Sequence, residues 1–164
     1  MNFIEFLKSK MAGEKSEVVK ILETIPIFEG LNPIELKKIE IITHERSYVP
    51  GEVIFHEGEP GAGLYIIRKG EIKLTKLSGE KKEIVVATLT TGEFFGELAL
   101  LDEHPRSATA TAAIKTDILG FYRPDFFNLL QREPKLGSKV LLKLAQMIGR
   151  RLRTTTETSI RGSR

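Results

Sequence analysis

Two residues nine positions apart carry the clearest chemistry in this chain: Glu97, preceded by Gly96, and Arg106, followed by Ser107. They belong to the stretch GEFFGELALLDEHPRSATATAA, residues 92–113. Arg106 supplies a permanent cation whose planar fork of donors matches an anion, and Ser107 adds a hydroxyl donor. Leu98, Ala99, Leu100 and Leu101 make a short apolar turn after Glu97. The amides at the start of such a turn carry the positive end of a helix dipole. Glu97 is left as an acceptor for hydroxyls. A ligand that satisfies all of these carries one anionic group beside a hydroxyl, which describes a cyclic ribose phosphate.

The elements that must position these groups follow from hydropathy patterning. Short runs with period two cover residues 48–49, 53–55, 64–68, 71–77, 83–89, 108–114 and 117–122, which reads as strands. Pro50-Gly51, Gly58-Glu59-Pro60-Gly61, Lys69-Gly70, Ser78-Gly79 and Thr91-Gly92 punctuate them, with Ser78-Gly79 expected at a hairpin tip. The expected fold is mainly β with flanking helices. It is an antiparallel β-roll or jelly-roll of about eight strands.

Helices are expected on both sides of the roll. Phe3, Phe6, Leu7 and Met11, then Val18, Ile21, Leu22 and Ile25, recur at helical spacing with a break near Gly13. Asn32 and Pro33 suit an N-cap and first helical position, with Ile34, Leu36 and Ile39 expected inward. Phe126, Phe127, Leu129 and Leu130 form one apolar helix face beyond Pro124. After Pro134, Leu136, Val140, Leu141, Leu144, Met147, Ile148 and Leu152 mark a long amphipathic helix, able to cover the roll or pair with a second copy. The threonines at 154–156 interrupt its stripe. The resulting division is an N-terminal helical extension over residues 1–25, the roll with its flanking helices over 26–133, and a C-terminal lid or dimerisation helix and tail over 134–164.

Composition narrows the function. The 164 residues are long enough for a true core, and no cysteine is present, which removes disulfides, thiol nucleophiles and cysteine-ligated clusters. No apolar run approaches bilayer length and no secretory pattern opens the chain, so the expected compartment is the cytoplasm, with no membrane partner. The net charge of +3 is uneven. Residues 132–164 hold nine Lys or Arg against Glu133 and Glu157, leaving the preceding part slightly acidic. A basic tail can address nucleic acid, but a solvated helix face with cations near its C-terminus is the simpler account, and DNA is not the expected partner. His44, His56 and His104 are too scattered for a metal set, and no nucleophile–base pair is arranged, so no enzyme is expected.

Two motifs resemble those of a known family, the cyclic nucleotide-binding domain, over roughly residues 27–156. The first is GEVIFHEG at 51–58 with LYIIRKG at 64–70, similar to the family's glycine-punctuated hairpins, in which Gly58 and Gly70 take backbone positions awkward for other residues. The second is FGELAL at 95–100, then five residues, then Arg106-Ser107-Ala108, which resembles the family's phosphate-binding cassette. The resemblance implies that Glu97 accepts from the ribose 2′-hydroxyl and Arg106 pairs with the cyclic phosphate. It implies further that the cassette backbone, with Gly96, Leu98 and Ala108, completes the cradle. Ser107 falls where the family touches the phosphate or, in some members, the guanine of cyclic GMP. Leu74 and Val86, on the inward alternation of neighbouring strands, would line the base pocket.

The C-terminal helix is similar to the dimer helix of the catabolite-activator branch. There, Thr155 and Thr156 match a hydroxyl pair that reaches adenine, one of the pair coming from the partner subunit of a homodimer; alternatively these threonines simply end the helix, or Arg151 or Arg153 caps the base. Members of that branch that regulate transcription continue into a DNA-reading helical domain, for which the few remaining residues are too short. The expectation is a stand-alone receptor for cyclic AMP, with cyclic GMP as the alternative ligand, acting through a repositioned C-terminal helix on an unidentified protein effector. A nucleotide-independent interaction module on the same fold is the competing reading.

Overall fold

The computed structural model describes Gly13 and residues 15–162. The helical spacing of Phe3, Phe6, Leu7 and Met11 lies outside the described residues. Ser16 caps α1 (Glu17–Leu22), its hydroxyl accepting from the Val19 amide at 3.1 Å. A 3-10 turn (Pro26–Phe28) leads to α2 (Pro33–Ile41). Asn32 and Glu35 close a reciprocal capping box there, each side chain accepting from the other's amide at 2.9 Å. Leu36 and Ile39 are buried, whereas Ile34, expected inward, is 72% exposed. The reason is helical geometry, because two residues of separation turn Ile34 about 200° from Leu36.

Eight strands follow: β1 (His44–Tyr48), β2 (Val53–Phe55), β3 (Gly63–Lys69), β4 (Glu71–Leu77), β5 (Glu83–Thr90), β6 (Phe94–Phe95), β7 (Thr109–Ala112) and β8 (Thr116–Tyr122). They form two four-stranded antiparallel sheets, in the orders β1-β8-β3-β6 and β2-β7-β4-β5. The hairpin tip falls where expected, but the left-handed residue in it is Lys81 (φ 58°) and not Gly79. Gly58 (φ 87°) and Gly70 (φ 127°) do adopt the backbone that the hairpin motif calls for.

The central strands β3 and β8 of the β1-β8-β3-β6 sheet are buried on both faces, which explains the unbroken apolar run at residues 64–67. Leu64 and Ile66 face the helices in one core with Phe28, Phe121, Phe126 and Val140. Tyr65 and Ile67 face the other sheet in a second core with Phe55, Ile72, Phe95 and Ala110. Burial of each such side chain contributes roughly 1.5–3 kcal/mol.

Two helices complete the chain, α3 (Arg123–Arg132) and α4 (Pro134–Arg161). In α3, Phe126 and Leu129 are buried, while Phe127 is 47% exposed and does not join the expected inner face. Leu136, Val140 and Leu144 anchor α4, and every residue of α4 from Arg150 onward is exposed. The apolar stripe stops near the threonines but the helix does not. Thr154, Thr155 and Thr156 donate their hydroxyls to the carbonyls of Arg150, Arg151 and Leu152 at 3.1, 3.0 and 2.9 Å. Among the described residues no helix is long and apolar enough to cross a membrane.

Candidate functional site

Gly96 is the pivot of the site. Strand β6 pairs Phe95 with Tyr65 of β3, and the chain then turns through Gly96 (φ 79°) into a 3-10 turn, Glu97–Leu100. A Cβ at Gly96 would lie 2.5 Å from Nη1 of Arg106 and 2.9 Å from the Gly63 carbonyl oxygen. Only glycine lets this turn close over the guanidinium.

Arg106 is fixed from two directions. Its amide donates to the Glu59 carbonyl at 2.7 Å, its carbonyl accepts from the Gly58 amide at 2.8 Å, and Pro60 bridges Pro105. The turn between β2 and β3 therefore splints the cassette. The side chain is only 8% exposed and points inward, with Nη2 donating to the Gly63 carbonyl at 3.0 Å and Nη1 to the Gly96 carbonyl at 3.3 Å. Its Cζ lies 4.2 Å from the Phe55 ring centroid and 5.4 Å from that of Tyr65. Nε is buried with no hydrogen-bond partner in the protein. Burial lowers the pKa of this guanidinium from its usual value, with Tyr65 opposing the shift, yet an arginine keeps its proton at neutral pH.

Glu97 is 5% exposed. Its Oε1 accepts from Nη1 of Arg151, which reaches down from α4. Between the 3-10 turn, the Arg106 loop and this arginine lies a cavity of about 440 Å³. Gly96, Glu97, Leu98, Arg106, Ser107 and Arg151 line it. Ser107 is exposed, while Ala108, 8% exposed, packs behind it. One buried cation, one buried carboxylate and a hydroxyl thus share a space able to hold a small molecule.

The other expected site residues lie elsewhere. The inward alternation assigned to Leu74 and Val86 is broken by a register shift after Leu74, which pairs with Ala87. Leu74 is half-buried against the second core, but Val86 is 51% exposed. Neither these two nor Thr155 and Thr156, both exposed on α4, line the cavity in this structure. Arg151 does line it, through a carboxylate contact and not by stacking. Asp102 and His104 lie in its wall too.

The family described as "Cyclic nucleotide-binding domain" matches residues 45–133. The Cyclic AMP receptor protein of Thermus thermophilus is 38% identical over 130 residues, covering 78% of this chain and 57% of that protein. A cAMP-dependent protein kinase regulatory subunit of Hypocrea atroviridis is 42% identical over 122 residues, covering 73% of this chain and 25% of that protein. Among solved structures, the N-terminal domain of a transcriptional regulator from Streptomyces coelicolor A3(2) superposes with a TM-score of 0.75 at 30% identity, covering 85% of this chain and 94% of that one. The chain belongs to the cyclic nucleotide-binding domain family, and it spans between a quarter and three fifths of the length of these two curated relatives.

Proposed function

We propose that this chain is a receptor for a cyclic nucleoside monophosphate, with cyclic AMP preferred to cyclic GMP, bound in the cavity between the 3-10 turn and α4. The observation that carries this reading is Arg106: a buried cation on the cavity wall whose Nε–H has no acceptor in the protein. An anionic oxygen is the partner that a buried, charged donor calls for. Glu97, on the same wall, accepts from the ribose 2′-hydroxyl, while Gly96, Leu98, Ser107 and Ala108 shape the cradle. All of these belong to this chain, so it is expected to bind as a stand-alone receptor. The preference for cyclic AMP rests on the likeness to relatives named for it and on the paired hydroxyls of Thr155 and Thr156.

The output is the position of α4. Its distal half is exposed and touches the roll through Arg151 and Glu97, so a ligand that competes for the Glu97 carboxylate shifts the balance between helix positions. A closed position brings Thr155 and Thr156 over the base, with Leu74 and Val86 beneath it. The exposed Leu152 and Ile160 then offer a face to a second copy or to a protein effector. Calorimetry on protein stripped of copurified ligand tests the core of this reading. Binding heat with cyclic AMP, weaker with cyclic GMP, is expected; absence of heat with both overturns it.

A further inference from the structure

A guanidinium that must receive an anion has to be held still without being neutralised. Among the described residues no carboxylate lies within ion-pair distance of Arg106. Two backbone carbonyls, of Gly63 and Gly96, hold it together with the faces of two aromatic rings. Carbonyl dipoles and ring quadrupoles attract a cation while leaving its full unit charge in place. A carboxylate in the same position would cancel that charge and compete with the ligand.

We infer that Phe55 and Tyr65 are positioning residues for the phosphate limb of the site, acting through Arg106. The inference rests on the cyclic nucleotide reading above. Phe55 comes from β2 in one sheet and Tyr65 from β3 in the other, with ring centroids 5.5 Å apart. Phe95 closes the seat, 5.4 Å from Tyr65 in a stacked pair and 5.9 Å from Phe55. The guanidinium lies against rings drawn from both sheets, and its orientation is tied to the inter-sheet core. Nη1 and Nη2 each donate once to a carbonyl, and Nε, with no partner in the protein, is left to donate along with the second hydrogens of both Nη atoms.

The seat is also separate from the ribose limb. Glu97 is held by the 3-10 turn and by Arg151, a partner that the seat does not share. The limbs share the Gly96 backbone, but the side chains of Tyr65 and Glu97 can be changed one at a time.

The test measures cyclic AMP and 2′-deoxy cyclic AMP by calorimetry on wild type, Tyr65→Leu and Tyr65→Phe. Tyr65→Leu is expected to weaken cyclic AMP binding about 2–30-fold, the range of a partly desolvated cation–π contact. Tyr65→Phe, which keeps the ring, is expected to stay within about twofold of wild type on the same basis. The ratio of affinities for the two nucleotides, which reads the Glu97 limb, is expected to be the same in all three proteins. Unchanged affinity in Tyr65→Leu, failure of Tyr65→Phe to restore binding, or a collapsed ribose ratio each overturns the inference. If Tyr65→Leu does not fold, Phe55→Leu carries the same measurement with the same outcomes. Wild type that binds neither nucleotide sinks the functional reading itself, whereas wild type that binds while Tyr65→Leu binds equally well sinks only this one.

Discussion

Removing the Arg151 guanidinium tests how α4 is held to the roll. The Glu97 side chain is 6% exposed and that of Arg151 58%, so one end of the pair lies in protein and the other in water. Unit charges about 4 Å apart attract by about 4 kcal/mol at an effective dielectric near 20, and fully exposed pairs contribute about 0.2–1 kcal/mol. A half-exposed pair falls between, at about 1–2 kcal/mol. For a chain of this size each kcal/mol lowers Tm by about 2–4 °C, so Arg151→Ala is expected to lose about 2–8 °C. Urea unfolding of wild type, Arg151→Ala, Glu97→Gln and the double variant, at neutral pH and low salt, gives the coupling directly. The expected coupling is about 1–2 kcal/mol, reduced by added salt and reduced again by saturating cyclic AMP if the ligand competes for Glu97. A coupling below about 0.3 kcal/mol, the scatter of independent sites, would refute the idea that this contact fastens the helix.

Other outcomes follow from the same geometry. Arg106→Ala is expected to weaken cyclic AMP binding by about 1.5–3 kcal/mol, the cost of losing a charged hydrogen bond; an unchanged dissociation constant in calorimetry would remove it from the site. Gly96→Ala is expected to destabilise the fold by about 1–3 kcal/mol, since its Cβ meets Arg106 and Gly63 at a left-handed position, and thermal melting equal to wild type would contradict this. The Lys139 ammonium, with help from the Asn32 amide and against burial, holds the Glu35 carboxyl below its usual range. Its stabilisation is therefore full above the ordinary carboxylate pKa and disappears as pH falls through the lowered one. Glu35→Gln should cost less than about 1 kcal/mol at pH 7 and nothing in strong acid; a gap in urea midpoints that persists in acid speaks against the pair. The absence of cysteine permits clean spin labelling at Lys76→Cys and Ile160→Cys. Cyclic AMP should shift the distance between these labels, and an unmoved distribution rules out helix repositioning.

The succession of strand runs and the cassette were legible in the sequence because both rest on local signals. Period-two runs between glycine turns mark β2 to β5, and the Gly96-Glu97 and Arg106-Ser107 pairs carry the family pattern at fixed spacing. The missed features depend on register between distant segments. Strand β6 is two residues long and exists only because Phe94 and Phe95 meet Ile66 and Tyr65. Val86 falls at a register shift between β4 and β5, and Ile84, Val85 and Val86 are all about half exposed. The Arg151–Glu97 contact spans 54 positions and needs the docked phase of α4, which a basic run in sequence does not reveal. Phe55 and Tyr65 sit within strand runs, and only the fold places a cation on their faces.

The uneven burial of α4 has a mechanical consequence. Its last buried residue is Leu144, and the helix runs on to Arg161. At about 1.5 Å per residue the helix runs about 25 Å past it, held on the way by the partly buried Met147 and Ile148 and by the Arg151–Glu97 pair. A tilt of about 10° at the Leu144 fulcrum carries the far end through about 4 Å, close to the rise of one helical turn. On the proposed reading, an adjustment at Glu97 acts through Arg151, about 10 Å from that fulcrum, and is enlarged about twofold at Ile160, about 24 Å from it, so the arm's length sets how far a bound ligand would be felt.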